Sequence, residues 1–578
     1  MRIVLDIESN LAHTKIWLVC TKNIDTGEKR TWKEASSLMD YLKDASLIVG
    51  HNVIAFDSPL LKKCWKIEIA TNLLYDTLIV SRLLEPSREN GHSLEAWGNS
   101  LGCQKTSYSS AWSWLQGRRE EYKGECFNAP SLGLLENYCQ QDCEVTAKLY
   151  LNLVNELNEK QFSEESVLLE HEFAFIIEEQ VRNGFKLDRP YATTLITHLK
   201  TRVDELLEQS EALYPTREVE RYSEKTGKRL KDAVVTFNIS SRQQVAKKLL
   251  ELGWKPDKHT EKGSIIVDEV VLDEIIKSNQ STQLTQLSEL VKEYLLLQKR
   301  IAQIESWLEA AGEDGRVHGK VITNGAVTGR CTHSSPNLAQ TPNSSSLYGP
   351  ECRECWTVED GQVLVGIDAS GLELRMLAHY MKDTNYVRTV CEGSSALGTD
   401  VHTINQKAAG LFTRDAAKTF IYAFLYGAGD AKIGSIVGGN ARKGGELKKR
   451  FLSQTPALAK LIAKVANYAA LGYVPGLDGR KIWVRSEHAA LNSLLQGAGA
   501  IVMKKALCLF YNKCKENSWP IVLVVNVHDE IQLETSDKYA TIVGEAAVQS
   551  IVEAGEHFGL RCPLNGEYKV GKTWRDTH

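Results

Sequence analysis

The sequence predicts an α/β domain, then a helical region, then a mixed α+β region, and three patterns carry that reading. Strand and helix patterns alternate up to about residue 155, as an α/β layer requires. From about 160 to 310 apolar residues fall at helical spacing, as in Ser166–Phe175 and Leu290–Ile301. Beyond about 315, short strand-like runs and helical stretches mix to the end of the chain.

The 578 residues suit three to four domains of roughly 150 residues each. With 43% hydrophobic and 25% charged residues the chain is not disordered as a whole. No apolar run approaches the roughly 20 residues that span a bilayer, and no signal-peptide pattern opens the chain. Thirteen scattered cysteines, an odd count, argue against a secreted disulfide framework. Cys352 and Cys355 form a C-x-x-C without a second ligand pair at zinc spacing, so reduced thiols in a cytoplasm are expected. The net charge of −4 hides two basic regions: residues 400–490 hold 14 Lys and Arg against 6 Asp and Glu, and residues 216–260 hold 11 against 6. Charge placed this way suits phosphate tracking, although a solvated helix face shows the same pattern.

The first element, Arg2-Ile-Val-Leu-Asp6-Ile-Glu8, is a strand pattern with two carboxylates at i and i+2, hence on one face. Asn52–Asp57 and Tyr138–Asp142 add two more acids on separate elements. Asp6, Glu8, Asp57 and Asp142 together have the character to hold two divalent ions, which activate water against a phosphodiester. Tyr138, four residues before Asp142, shares its helical face and suits orienting that water. His51 reads as a packing or solvent residue. The helical region follows, interrupted from Thr216 to about Asp232 by a charged stretch that reads as a loop.

Gln362–Asp368 is a strand ending in a carboxylate, and Glu373 and Arg375 stand in the helical stretch after it. Arg414, Lys418, Tyr422 and Tyr426 recur every fourth residue as one helical stripe, two cations and then two aromatics, suited to a nucleoside triphosphate. A core aromatic stripe with snorkelling cations has the same spacing. Ile521–Glu534 is a hairpin pattern with His528, Asp529 and Glu530 at its tip. Asp368 and Asp529 then form a second pair able to share two metal ions.

The D-x-E, N-x3-F-D and Y-x3-D set resembles the proofreading domain of DnaQ-like 3′–5′ exonucleases. Thr328–Arg330, Asn337–Pro342, Asp368–Arg375, Lys418–Tyr422 and Val527–Ile531 resemble motifs of family A (Pol I-like) DNA polymerases, in particular the replicative enzymes of T-odd-type short-tailed phages. The likeness covers nearly the whole chain. It implies an RNase H-like α/β exonuclease domain at 1–160 and an α+β right-hand polymerase. The thumb is expected at 161–310 with a short basic insertion at 216–235, the palm at 311–395 and 491–578, and the fingers at 396–490.

The resemblance also implies roles. Asp368, Asp529 and the Ala369 carbonyl would hold Mg²⁺, two ions per active site with Mn²⁺ able to substitute, and the exonuclease acids would hold their own pair. Glu373 would exclude a ribose 2′-hydroxyl, Lys418 would neutralise the triphosphate and protonate the leaving pyrophosphate, and Arg414 and His402 would bind outer phosphates. Tyr422 implies tolerance of dideoxynucleotides, and Tyr426 would stack near the templating base. Arg330, Gln496 and His528 would contact DNA near the primer end. Primer–template DNA and dNTPs are the implied partners, with a phage helicase-primase and single-strand-binding protein, in the cytoplasm of an infected bacterium. No membrane partner is expected. The family's long thumb insertion that captures thioredoxin is absent, so that clamp is not expected either. Two rivals stand beside this reading: a single-subunit RNA polymerase, which Glu373 and the nuclease motifs disfavour, and a catalytically silent DNA-binding scaffold, which would have to lack a carboxylate.

Overall fold

A computed structural model describes residues 1–578 except 105–106, 117–124, 224, 257, 261 and 279–280. The N-terminal sheet runs in the order Lys29–Trp32, Ile16–Asn23, Arg2–Ser9, Leu47–Gly50, Leu74–Asp76. Its first three strands pair antiparallel and its last two join in parallel. Helix Leu132–Glu159 lies across it and buries Leu135, Cys139, Asp142, Cys143, Thr146, Leu149 and Leu153, a stripe at three- and four-residue spacing.

A second sheet orders Val522–Val527, Glu530–Ser536, Gln362–Ala369 and Gly566–Gly571, all antiparallel. Its period-two alternation feeds two cores. Val363, Val365 and Ile367 pack with helices Glu487–Glu516 and Asp537–His557 on one face. Leu364 and Val524 pack on the other face with helices Arg189–Leu213 and Thr282–Ala310. Trp307, Trp356 and Trp574 are all 1% exposed or less there, with Trp356 and Trp574 5.2 and 5.6 Å from the Phe185 ring and Trp307 5.0 Å from Trp356. Truncating any of these rings to alanine would cost about 3–5 kcal/mol.

Two sequence expectations change. The stretch read as a loop is a hairpin, Arg217–Tyr222 against Arg229–Val235, with Glu224 outside the described residues. Its strands are largely exposed and held by pairs such as Arg229 with Glu220 at 3.2 Å and Asp232 at 3.1 Å, so no apolar run marks it. Helix Glu164–Asn183, grouped by sequence with the helical region from 161, instead sends Leu169, Phe173, Ile176 and Ile177 into the core beneath the second sheet. Helix Glu487–Glu516 is the one described helix long and apolar enough to cross a membrane, and 83% of its most apolar stretch is buried inside the protein, as in a core helix.

His379 sits 8% exposed in helix Leu372–Met381, its Nδ1 accepting the Arg561 N–H at 3.1 Å. Burial, then the Arg561 and Lys382 charges, push its pKa from 6.5 down to about 4. The unfolded chain therefore binds more protons between these values, and this residue's contribution to stability is lost as pH falls from 6.5 towards 4. Replacing His379 by Gln should flatten the fall of the urea midpoint across that window relative to wild type, measured by tryptophan fluorescence.

Candidate functional site

In the N-terminal domain the strand Arg2–Ser9 presents Asp6 and Glu8 towards helix Leu132–Glu159. The Cys139 thiol donates to Asp6 Oδ2 at 3.2 Å, and ligand atoms of Asp6, Glu8 and Cys139 lie within 4.8 Å of one another. Tyr138 precedes Cys139 and rests 5.8 Å from the ring of Tyr108. Asp57 opens helix Asp57–Trp65 and is 3% exposed. Burial first, then the Asp6 and Asp76 charges, raise its pKa well above the carboxylate range. Asp142 is 5% exposed, and Asp6, Asp142 and Asp57 all act on the Cys143 thiol, which burial pushes up. Sequence reasoning missed Cys139 and Asp76, and only the alternation of the strand and the pitch of the helix could have signalled Cys139.

The second cluster is built at the edge of a tight turn. Asp368 is the second-last residue of strand Gln362–Ala369, in register with Glu530 on one side and Glu567 on the other. The Ala369 N–H donates to Asp529 O at 3.1 Å, tying the strand end to the turn that carries Asp529. His528, at φ 55°, takes the left-handed conformation that a two-residue hairpin turn demands. Burial, then Asp529 and Glu530, push the Asp368 carboxyl up to about 7, and burial also raises Asp529. Partial burial and the neighbouring acids disfavour the charged forms here, a cost that a bound cation would relieve.

Glu530 stands apart from them. Burial raises it, but His578, Arg353 and Trp574 together hold it below the usual carboxylate range. It accepts from Gln532 Nε2 at 2.7 Å and from Trp574 Nε1, with His578 at 3.3 Å. The third acid of the turn is therefore structural.

Arg414 opens helix Arg414–Leu425, capped by Thr413 Oγ1 accepting the Ala416 N–H at 3.1 Å. Its guanidinium pairs with Asp400 at 2.9 Å, and Asp400 in turn caps the helix that bears His402. Asp400 falls to about 2, burial being outweighed by its bonds from Arg414, Thr403 and the His402 N–H. His402 lies 6.3 Å from Tyr422, and burial followed by the Arg414 charge lowers its pKa. Lys418 is exposed and makes no ion pair with a described residue. Tyr422 and Tyr426 are 6.4 Å apart, and the Tyr426 hydroxyl donates to Glu373 at 2.8 Å. Arg330 reaches the same carboxylate at 3.4 Å. Burial, then the Glu373 and Asp529 charges, raise Tyr422. Arg330 and His528 line one small cavity with Asn526 and Lys504. Gln496 is half-buried on helix Glu487–Glu516, next to Gly497, where a Cβ would meet Ile482 at 2.3 Å.

Two features had no clear sequence signal. Glu170, Asp478, Arg480 and Lys504 form a buried ion network, each at most 4% exposed, with Arg480 and Lys504 both 2.5 Å from Glu170. A cavity of about 510 Å³, rimmed by Lys382, Lys460 and Lys464, contains none of the motif residues.

Residues 209–576 match the family described as DNA polymerase family A. The chain is 35% identical to the DNA-directed DNA polymerase of Enterobacteria phage T3 over 93% of each chain. It is 34% identical to that of Escherichia phage T7 over the full length of both. Among solved structures, the POL domain of Pol1 from M. smegmatis, in complex with DNA primer-template and dNTP, superposes with a TM-score of 0.78. That match covers 100% of this chain and 96% of that one at 17% identity, a likeness of fold.

Proposed function

The chain belongs to DNA polymerase family A and is a DNA-directed DNA polymerase, and from that premise we propose that its two carboxylate clusters are separate centres, one for extension and one for 3′–5′ removal. Extension belongs to Asp368 and Asp529 in the palm, with the fingers at 396–490 and a thumb that begins after helix Glu164–Asn183, which packs into the core beneath the second sheet. Removal belongs to Asp6, Glu8, Asp57, Tyr138 and Asp142 within residues 1–160. The observation that carries the first assignment is the bond from Ala369 N–H to Asp529 O, which ties the strand end that bears Asp368 to the turn that bears Asp529.

Both centres offer all-oxygen carboxylates, which suits Mg²⁺, with Mn²⁺ as a substitute. Asp368, Asp529 and the Ala369 carbonyl would hold the ions in one centre, and Asp6, Glu8, Asp57 and Asp142 in the other. When bound, such a pair lowers the pKa of the attacking hydroxyl or water and stabilises the leaving oxygen. The chain's own residues supply the rest. Lys418, exposed and without an ion-pair partner among the described residues, meets the triphosphate and gives a proton to the departing pyrophosphate. Arg414 and His402 bind outer phosphates, Arg414 sharing itself with Asp400. Glu373, fixed by Tyr426 and Arg330, closes the space a 2′-hydroxyl would need. Tyr426 sits near the templating base, while Arg330, Gln496 and His528 meet the primer–template.

Competing dNTPs and rNTPs on one primed template test the assignment. Deoxynucleotide preference is expected, and ribonucleotide preference would return the RNA polymerase reading. Tyr422→Phe removes one hydroxyl near the nucleotide sugar. Dideoxynucleotide incorporation, read against dNTP in a chain-termination ladder, should fall by about 2- to 10-fold, one hydrogen bond's worth.

The partners proposed are primer–template DNA and dNTPs, with a helicase-primase and a single-strand-binding protein, in the cytoplasm of an infected bacterium. The T7 alignment runs over 715 positions against 578 residues here, so that relative carries stretches this chain lacks. With only the hairpin 217–235 in the thumb, adding thioredoxin should leave product length on a long primed template within about twofold.

A further inference from the structure

Helix Thr77–Leu84 of the N-terminal domain is held at three backbone points by side chains from outside that domain. His171 Nε2 accepts the Asp76 N–H at 2.8 Å, just before the helix. Asn324 Nδ2 donates to Ile79 O at 3.0 Å, and Trp483 Nε1 donates to Leu84 O at 2.6 Å. His171 Nδ1 lies 2.7 Å from Val167 O, so Nδ1 carries the proton and Nε2 is the acceptor. Both ring nitrogens of this buried imidazole are thereby committed. Its neighbour Glu170 is locked to Arg480 and Lys504, which fixes this part of helix Glu164–Asn183 against the C-terminal body.

Asp76 is the hub that receives this support. Its carboxylate accepts the N–H groups of Asn52 at 2.9 Å, Ile54 at 3.1 Å and Leu78 at 2.9 Å. Asn52, at φ 70°, is left-handed, and its carbonyl accepts the Phe56 N–H at 3.0 Å. The turn so held delivers Asp57 into the first carboxylate cluster. His51 joins the same hub, its Nδ1 2.9 Å from Thr77 Oγ1.

We propose that the polymerase body positions the exonuclease centre, with His171 as the positioning residue acting through Asp76 on the turn that carries Asp57. This rests on the exonuclease reading of the first cluster. A misplacement of about 1 Å in such a ligand is enough to cost one to two orders of magnitude in turnover.

The test compares wild type, His171→Leu and His171→Gln in the full-length chain. Single-strand degradation, primer extension and amide exchange of residues 52–56 are measured on each. In His171→Leu the degradation kcat should fall by about tenfold or more with KM unchanged, and exchange at 52–56 should speed up by about tenfold. Extension should stay within about twofold of wild type. His171→Gln places an acceptor near the same point and should restore slow exchange and most of the turnover. Trp483→Phe removes only the Leu84 donor and should cost degradation about two- to threefold. Wild-type exchange and turnover in His171→Leu would overturn the proposal, as would an equal loss of extension and degradation. A wild-type chain that degrades no primer would instead remove the exonuclease reading, while the exchange data would still report whether His171 anchors the turn.

Discussion

Asp529→Asn leaves a chain that trims primers and does not extend them. The side chain keeps its size, so the turn at His528 and the bond from Ala369 N–H to the Asp529 backbone oxygen survive. What is lost is half the negative charge that makes a cation site with Asp368. With one carboxylate gone, the repulsion from Asp529 that helps burial push Asp368 up to about 7 is removed, and the gain from neutralising the pair shrinks with it. Extension of a labelled primer should fall on the order of 10³-fold, about 4 kcal/mol of transition-state stabilisation. Degradation of the same primer without dNTPs should stay within about twofold, since no residue of the first cluster depends on Asp529.

Asp6→Ala with Glu8→Ala should do the reverse. The double replacement empties the strand-borne half of the first cluster and leaves the Cys139 thiol without its acceptor at Asp6 Oδ2. Primer degradation should drop on the order of 10³-fold or more, with extension within about twofold. Circular dichroism and urea midpoint guard against misfolding. Removing two crowded acids beside the buried Asp57 should leave stability unchanged or slightly raised, because the Asp6 charge is one of the causes that raise Asp57.

The parts of both sites that were legible in the sequence are those that local geometry creates. The i, i+2 rule put Asp6 and Glu8 on one face, and the four-residue spacing of Arg414, Lys418, Tyr422 and Tyr426 gave a stripe that the helix Arg414–Leu425 realises. The hairpin bearing Asp529 announced itself by two apolar runs around an acidic turn. Other parts depend on partners far along the chain. Glu530 reads as a third acid of the turn, but its bonds come from Trp574 and His578, which nothing local to residue 530 reveals. Glu170 meets Arg480 and Lys504 across more than 300 residues, and Asp76 meets His171 across 95. The hairpin 217–235 hid for a different reason: with solvent on both sides it has no apolar alternation to detect.

On the proposed reading one chain holds two independent phosphoryl-transfer centres that serve the same primer end. Its most direct test is complementation in trans on a primer with a mismatched 3′ end, read by sequencing the full-length product. Asp529→Asn alone should shorten the primer. The Asp6→Ala, Glu8→Ala variant alone should give little product, with the mismatch retained. Mixed, the two should yield full-length product with the mismatch removed, because one variant trims and the other extends. A mixture that corrects no better than the double variant alone would overturn the assignment of two separate centres.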